Sequence, residues 1–134
     1  MITDERGARL PGKPETLVAH VLPAGRIGKN PLHWPKGFGA ILEGKRMAER
    51  LFESFQPSCV VGFGGYPAFP TLWAATATGV PSVIHEQNAV LGRVNRLLAK
   101  RVDAIATSCK QVDRLKAKFA LKTHLVGNPV RAEV

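Results

Sequence analysis

The run Cys59-Val60-Val61-Gly62-Phe63-Gly64-Gly65-Tyr66-Pro67, followed by Phe69 to Thr78, Gly79, and then Val80 to Ile84, decides the fold. Cys59 to Phe63 is a short apolar run closed by glycines, the pattern of a strand. Phe69 to Thr78 predicts a helix, with Gly79 placed to end it in the left-handed conformation. Val80 to Ile84 is a second apolar run of strand length. Strand, helix and strand in this order form a crossover unit whose two strands run parallel.

The same alternation continues on both sides. Downstream, Leu91 to Ala99 predicts a helix with Arg93, Arg96 and Lys100 on its exposed side. Val102 to Ala106 predicts a strand, Lys110 to Phe119 a helix, and His124 to Val126 a last strand. Upstream, Phe38, Ile41, Leu42, Ala48, Leu51, Phe52 and Phe55 recur at helical spacing. They predict a helix from about residue 37 to 55, ended by Pro57. Residues 23–37 are rich in Gly, Pro and Lys and read as a loop. Leu17 to Leu22 predicts a buried strand between Pro14 and Pro23, and Met1-Ile2 reads as the end of a strand entering a turn. The expected fold class is α/β, a Rossmann-like parallel sheet with flanking helices. Such sheets take ligands at the carboxyl ends of their strands.

The chain of 134 residues, 45% hydrophobic, is long enough for one domain with a core and short for two. Its 19 Lys and Arg against 10 Asp and Glu give a net charge of +9. A basic domain meets phosphate in some form, whether nucleotide-sugar, nucleic acid or an anionic membrane, or simply carries a solvated basic surface. Cys59 and Cys109 are isolated, so neither a disulfide framework nor a zinc site is indicated. Cys59, in its apolar run, is expected to be a buried reduced thiol. No signal peptide and no apolar stretch of membrane-spanning length is present in the sequence.

Three polar clusters follow predicted strands. In Gly62-Phe63-Gly64-Gly65-Tyr66-Pro67, the glycines allow positive φ and close backbone approach, which suits a pyrophosphate at a helix start and equally a plain tight turn. The spacing is not the dinucleotide fingerprint. His85-Glu86-Gln87-Asn88 puts four polar residues where a strand ends. Asn88 can donate and accept together, as sugar hydroxyls or a uracil edge require. Glu86 is a candidate general base, or a brace for a neighbour. Gly127-Asn128-Pro129-Val130-Arg131 is a turn whose Arg131 can pair with phosphate, or a linker.

Between residues 26 and 50, six cations stand against Glu43 and Glu49. Lys29, Lys36, Lys45 and Arg46 lie among Leu32, Trp34 and Phe38, with Trp73 expected nearby. Aromatic residues among cations suit a membrane interface, although large aromatics are more often core. Residues 93–118 are also basic, but aromatics make up only 7% of the chain and no RNA- or DNA-binding motif occurs. Nucleic acid therefore ranks below a phosphate ligand.

Taken in order, Gly-Phe-Gly-Gly-Tyr, His-Glu-Gln-Asn and Gly-Asn-Pro-Val-Arg resemble the MurG family. Thr3-Asp4-Glu5-Arg6-Gly7 and Leu97-Leu98-Ala99-Lys100 extend the likeness over essentially the whole chain. Each motif alone is weak and the ordered set is specific. These enzymes transfer N-acetylglucosamine from UDP-N-acetylglucosamine to lipid I, making lipid II for peptidoglycan. The resemblance implies the acceptor-side, N-terminal half of a two-domain GT-B glycosyltransferase on the cytoplasmic face of the bacterial inner membrane. It implies an inverting reaction with no cofactor and no bound metal; no Asp-x-Asp motif is present. By motif match, Asn88 and Arg131 would contact the UDP-sugar. Gly64, Gly65 and Tyr66 would belong to a loop near the acceptor diphosphate. His85, Glu86 and Gln87 would line the cleft, with Asn95 supporting it from the next helix. The membrane reading of Trp34, Phe38 and Trp73 gains weight in that context.

Two family features are not found in the sequence: an opening strand with its Gly-Gly-Thr-Gly-Gly-His loop, whose histidine is a candidate base, and a donor-binding domain. The expectation is that this chain alone is inactive. It is further expected to be unstable or self-associating unless a partner covers the place of the first strand. The competing expectations are a lipid-binding half working with a separately encoded donor domain, and a basic scaffold without enzymatic role.

Overall fold

A computed structural model describes residues 1–9, 11–12, 14–23 and 34–129, the side chains of Trp34 and Pro35 excepted. In chain order the elements are β1 (Ile2–Thr3), α1 (Glu5–Ala8), β2 (His20–Val21), α2 (Trp34–Phe55), β3 (Val60–Gly62) and α3 (Ala68–Thr78). They continue with β4 (Ser82–Glu86), α4 (Arg93–Leu98), β5 (Ala104–Thr107), a 3₁₀ turn (Ala117–Lys122) and β6 (Thr123–Leu125). Every strand pairing is parallel. The strands form two sheets, β1-β2 and β3-β4-β5-β6.

The second sheet is in sequence order, each strand returning through a connection on its face. Its register pairs Val61 with Val83, Ile84 with Ile105 and Ala106 with His124. Leu72, Ile84, Leu98, Val102 and Ile105 pack as one buried cluster between this sheet and helices α3 and α4. A second cluster, Leu22, Ala48, Phe52, Ala74 and Ala75, joins β2 and α2 to the other side of α3. Helix α3 therefore serves both cores, which explains its nearly all-apolar composition. Gly44 lets α2 approach closely: a Cβ there would stand 2.3 Å from the Pro23 carbonyl oxygen and 3.1 Å from Pro70 Cβ. Gly79 ends α3 at φ 76°, as its position predicts.

Several expectations are corrected. The predicted strand Leu17 to Leu22 contracts to His20–Val21, with Leu17 and Val18 exposed. The strand expected at Val80 to Ile84 runs instead from Ser82 to Glu86. Pro81 has no N–H for the ladder, and His85 and Glu86 continue the strand as buried polar residues. No helix spans Lys110 to Phe119. Val90 and Asp113 form a parallel bridge there, Arg114 takes φ 66°, and only the 3₁₀ turn follows. Cys59 is exposed rather than buried. Arg93, Arg96 and Lys100 are exposed as expected.

Candidate active site at the carboxyl edge of the sheet

Because β3 to β6 are parallel, their carboxyl ends share one edge, and the polar clusters gather there. Glu86 is the last residue of β4 and is 3% exposed. Its Oε1 accepts from the backbone N–H of Asn88 at 3.0 Å and from Asn88 Nδ2 at 3.0 Å. Its Oε2 accepts from the N–H of Gly92 at 2.8 Å and from Asn95 Nδ2 at 2.9 Å. Burial pushes this carboxyl up, but the donors from Gly92, Asn95 and Asn88 outweigh it and hold the group below its ordinary value. A carboxylate so occupied is a brace, and a weak proton acceptor. It fixes Asn88 with its Nδ2 spent inward, which leaves Oδ1 to accept from a ligand N–H or O–H.

His85 is 4% exposed, and its Nε2 lies 2.9 Å from the carbonyl oxygen of Gly127. A carbonyl only accepts, so Nε2–H is the donor of this bond. Nδ1 is buried and finds no partner among the described residues. The ring also leans on Phe63, with centroids 5.4 Å apart. His85 thus joins the first and third clusters: Phe63 from the glycine loop on one side, the Gly127 turn on the other. The N–H groups of Val126 and Gly127 both reach the Thr107 carbonyl, which anchors that turn to β5.

The glycine loop between β3 and α3 has Gly64 at φ 79° and Gly65 at φ 77°, where an L side chain is strained. A Cβ on Gly64 would stand 3.5 Å from Asn95 Nδ2, so the loop passes directly over the Glu86 network. Asn95 is 3% exposed, and its Oδ1 has no partner among the described residues. Tyr66 is half-buried against the first core cluster. Gln87 and Asn88 are exposed. Arg131 lies outside the described residues. The role of Gly92, a backbone donor six residues past Glu86, is not visible in the sequence.

The basic aromatic patch is reached only in part. Lys29 and Leu32 lie outside the described residues, as does the side chain of Trp34. Phe38 is 54% exposed, and Lys36 and Arg46, also on α2, are exposed. Trp73 is half-buried: its ring meets Phe69 at 5.8 Å, and Lys45, ion-paired with Glu49, lies 5.5 Å over it. Among the described residues no helix is long and apolar enough to cross a membrane, and no three His, Cys, Asp or Glu come together.

Polar clusters at the carboxyl edge of a parallel sheet, with a glycine loop opening onto a helix, define the Rossmann-like class of α/β domains that take ligands at their strand ends. Within that class the chain belongs to glycosyltransferase family 28, whose N-terminal domain matches residues 2–107. It is 69% identical over 134 residues to the UDP-N-acetylglucosamine--N-acetylmuramyl-(pentapeptide) pyrophosphoryl-undecaprenol N-acetylglucosamine transferase of Novosphingobium aromaticivorans, covering 100% of this chain and 34% of that protein. It is 67% identical, with the same coverage, to the transferase of that name from Erythrobacter litoralis. The crystal structure of Acinetobacter baumannii MurG superposes with a TM-score of 0.63 at 26% identity, over 87% of this chain and 32% of that one. The chain spans about a third of the length of the curated relatives it matches.

Proposed function

We propose that this chain forms the acceptor-side wall of an inverting transferase that moves N-acetylglucosamine from UDP-N-acetylglucosamine to lipid I, forming lipid II. The observation that carries this reading is the identity of 69% over 134 residues, the whole of this chain. In the reaction an acceptor hydroxyl attacks the anomeric carbon, UDP leaves from the opposite face, and the hydroxyl proton passes to a base. The network favours Glu86 as the residue that positions Asn88, and not as that base. His85 is also spent, since its Nε2–H is donated and its Nδ1 is buried. Asn88 Oδ1 then takes a donor of the UDP-sugar, Arg131 its phosphate, and the Gly64-Gly65-Tyr66 loop the acceptor diphosphate. The described residues supply one wall of a cleft. Transfer needs a second, donor-holding wall, since both substrates must be fixed together. That wall belongs to the same enzyme or to a separate partner chain.

We also propose peripheral attachment to an anionic membrane through α2. Exposed Phe38 and the exposed cations Lys36 and Arg46 of the same helix favour it, each cation near such a surface contributing about 1 kcal/mol.

The transfer reading is tested with a chimera in which residues 1–134 replace the matching third of the Novosphingobium aromaticivorans transferase. The expected chimera makes lipid II from a soluble lipid I analogue. Asn88→Ala in it should lower kcat/KM by roughly tenfold or more, the loss of about 1–3 kcal/mol of directed hydrogen bonding. A folded chimera without transfer, or an Asn88→Ala chimera with parental kinetics, overturns the assignment.

A further inference from the structure

The basic run that follows β4 is not used by the Glu86 network. Residues 91–122 hold nine Lys and Arg against two acids, whereas the rest of the chain holds ten against eight, so most of the net charge of +9 sits in this run. The fold turns the run back on itself. The N–H of Leu91 donates to the Asp113 carbonyl at 2.9 Å, and that of Asp113 donates to the Ala89 carbonyl at 2.7 Å. Arg114 follows at φ 66°, a conformation that a non-glycine residue keeps only where its surroundings fix it. These bonds set the 113–119 segment alongside α4, and a pocket of about 500 Å³ lies between them.

The floor of this pocket is apolar: Leu91 and Ala99 are buried, and Phe119 is half-buried. Arg93 and Arg96 stand on the α4 wall, Arg114 and Lys116 on the facing wall, and all four are exposed. No Asp or Glu lines the pocket among the described residues. The ion pairs among those residues lie elsewhere, at Asp4–Arg6 and Lys45–Glu49, so the four cations have no carboxylate partner there. Of the two acids in the run, Asp103 is turned to Ser82, whose N–H and hydroxyl donate to it at 2.8 and 3.1 Å. Asp113 lies outside the lining.

This arrangement selects among anions. A bare phosphate would meet only exposed, water-screened cations and would gain nothing from the floor. A nucleic-acid base needs an open aromatic face, but the Phe119 ring already meets Lys118 Nζ at 5.2 Å and Lys122 Nζ at 5.1 Å. A lipid carries its charge at one end of its apolar part, whereas the cations here flank the floor on both sides. A peptide can place carboxylates both before and after an apolar side chain, and arginine forks pair with carboxylates through two N–H bonds.

We propose that this pocket docks an acidic segment of a partner protein. One large apolar side chain of that segment sits over Leu91 and Phe119. Carboxylates on one side of it meet Arg93 and Arg96, and those on the other meet Arg114 and Lys116. The anchor supplies most of the affinity, and the charges supply orientation and on-rate. The proposal does not depend on the transfer reading.

The probe is a short fluorescein-labelled peptide with one Trp between two runs of Asp and Glu, titrated against the whole chain at physiological salt and followed by anisotropy. The expected result is saturable binding, weakened roughly tenfold or more by Arg96→Glu together with Arg114→Glu, and as much by replacing the peptide's Trp with Ser. The second change leaves the protein untouched, so it reads the pocket whether or not the variant folds. Arg101→Glu, an exposed charge reversal outside the pocket, should weaken binding far less. Equal binding of the Trp-free peptide, or an equal loss with Arg101→Glu, means general attraction to a basic face and overturns the proposal. Absence of peptide binding also overturns it; anionic vesicles or single-stranded DNA that bind the parent and are lost in the paired reversal would then claim the pocket instead.

Discussion

Glu86→Gln keeps the shape of the side chain but removes its charge and one of its two acceptor oxygens. The wild-type carboxylate receives four donors: two from Asn88 and one each from Gly92 and Asn95. Asn88 is exposed, so its donors can turn to water. Asn95 is buried, and Gly92 is held so close that a Cβ on it would stand 3.4 Å from Oε2. The glutamine carbonyl is therefore expected to face Gly92 and Asn95, with its amide turned against the donors of Asn88. Two bonds lose their charge assistance and two are lost, for a net cost of about 2–4 kcal/mol at neutral pH. The pH dependence separates this from a loss of packing. The folded-state pKa of Glu86 is depressed, so its stabilisation is complete above the unfolded value, near 4.3. It is lost as pH falls through the folded value. Urea unfolding followed by circular dichroism, at pH 7.5 and at stepwise lower pH, should show a large gap between parent and variant that closes in acid. A variant within about 0.5 kcal/mol of the parent at pH 7.5, or one whose gap does not narrow in acid, refutes the brace.

Other perturbations test other links. Gly64→Ala forces an L side chain to φ 79° and should cost about 1–2 kcal/mol in denaturant unfolding, while Gly64→Asn recovers part of it. Gly44→Ala drives a Cβ to 2.3 Å from the Pro23 carbonyl and should cost about 1–3 kcal/mol by overpacking, seen as a lowered Tm. Phe38→Ser should weaken sedimentation with anionic vesicles without lowering Tm, because Phe38 is exposed; Trp73 is a poorer probe, being packed on Phe69 and Lys45. Unchanged vesicle binding by Phe38→Ser counts against the membrane face.

The parts of the fold that were legible are those where hydropathy and geometry coincide. Helix α3 and its Gly79 end, the long amphipathic α2, and the alternation of strands with helices follow from apolar period and glycine placement. The misreadings share a cause. Val112, Leu115 and Phe119 fall at helical spacing, yet Asp113 bridges to Val90 and Arg114 turns into the left-handed region, so tertiary pairing overrides the period. The end of strand β4 is hidden in the sequence because His85 and Glu86 are polar, and nothing in the strand itself reveals that both are buried, His85 against the distant Gly127 turn and Glu86 under the donors of Asn88, Gly92 and Asn95. Cys59 reads as core because its neighbours are apolar, but the structure leaves it exposed. The split into two sheets is a matter of which strand lies beside which, and hydropathy does not encode it.

The end of β4 explains why the three polar clusters act as one. Successive strand residues point to opposite faces of a sheet. His85 and Glu86 are consecutive, so one strand end reaches to both sides. His85 fastens the Gly127 turn and leans on Phe63, while Glu86 fastens Asn88, Gly92 and Asn95 under the Gly64 loop. A substitution at either residue loosens a loop it does not belong to. Activity lost on replacing Glu86 is therefore no evidence that it accepts a proton. A base shows its own pKa in the pH dependence of kcat/KM, whereas a brace with a depressed pKa leaves the neutral-pH profile unchanged in shape and lowers its height. In the chimera, Glu86→Gln should lower kcat/KM at every pH between 6 and 9 by the same factor. A change in the shape of that profile would return Glu86 to the chemistry.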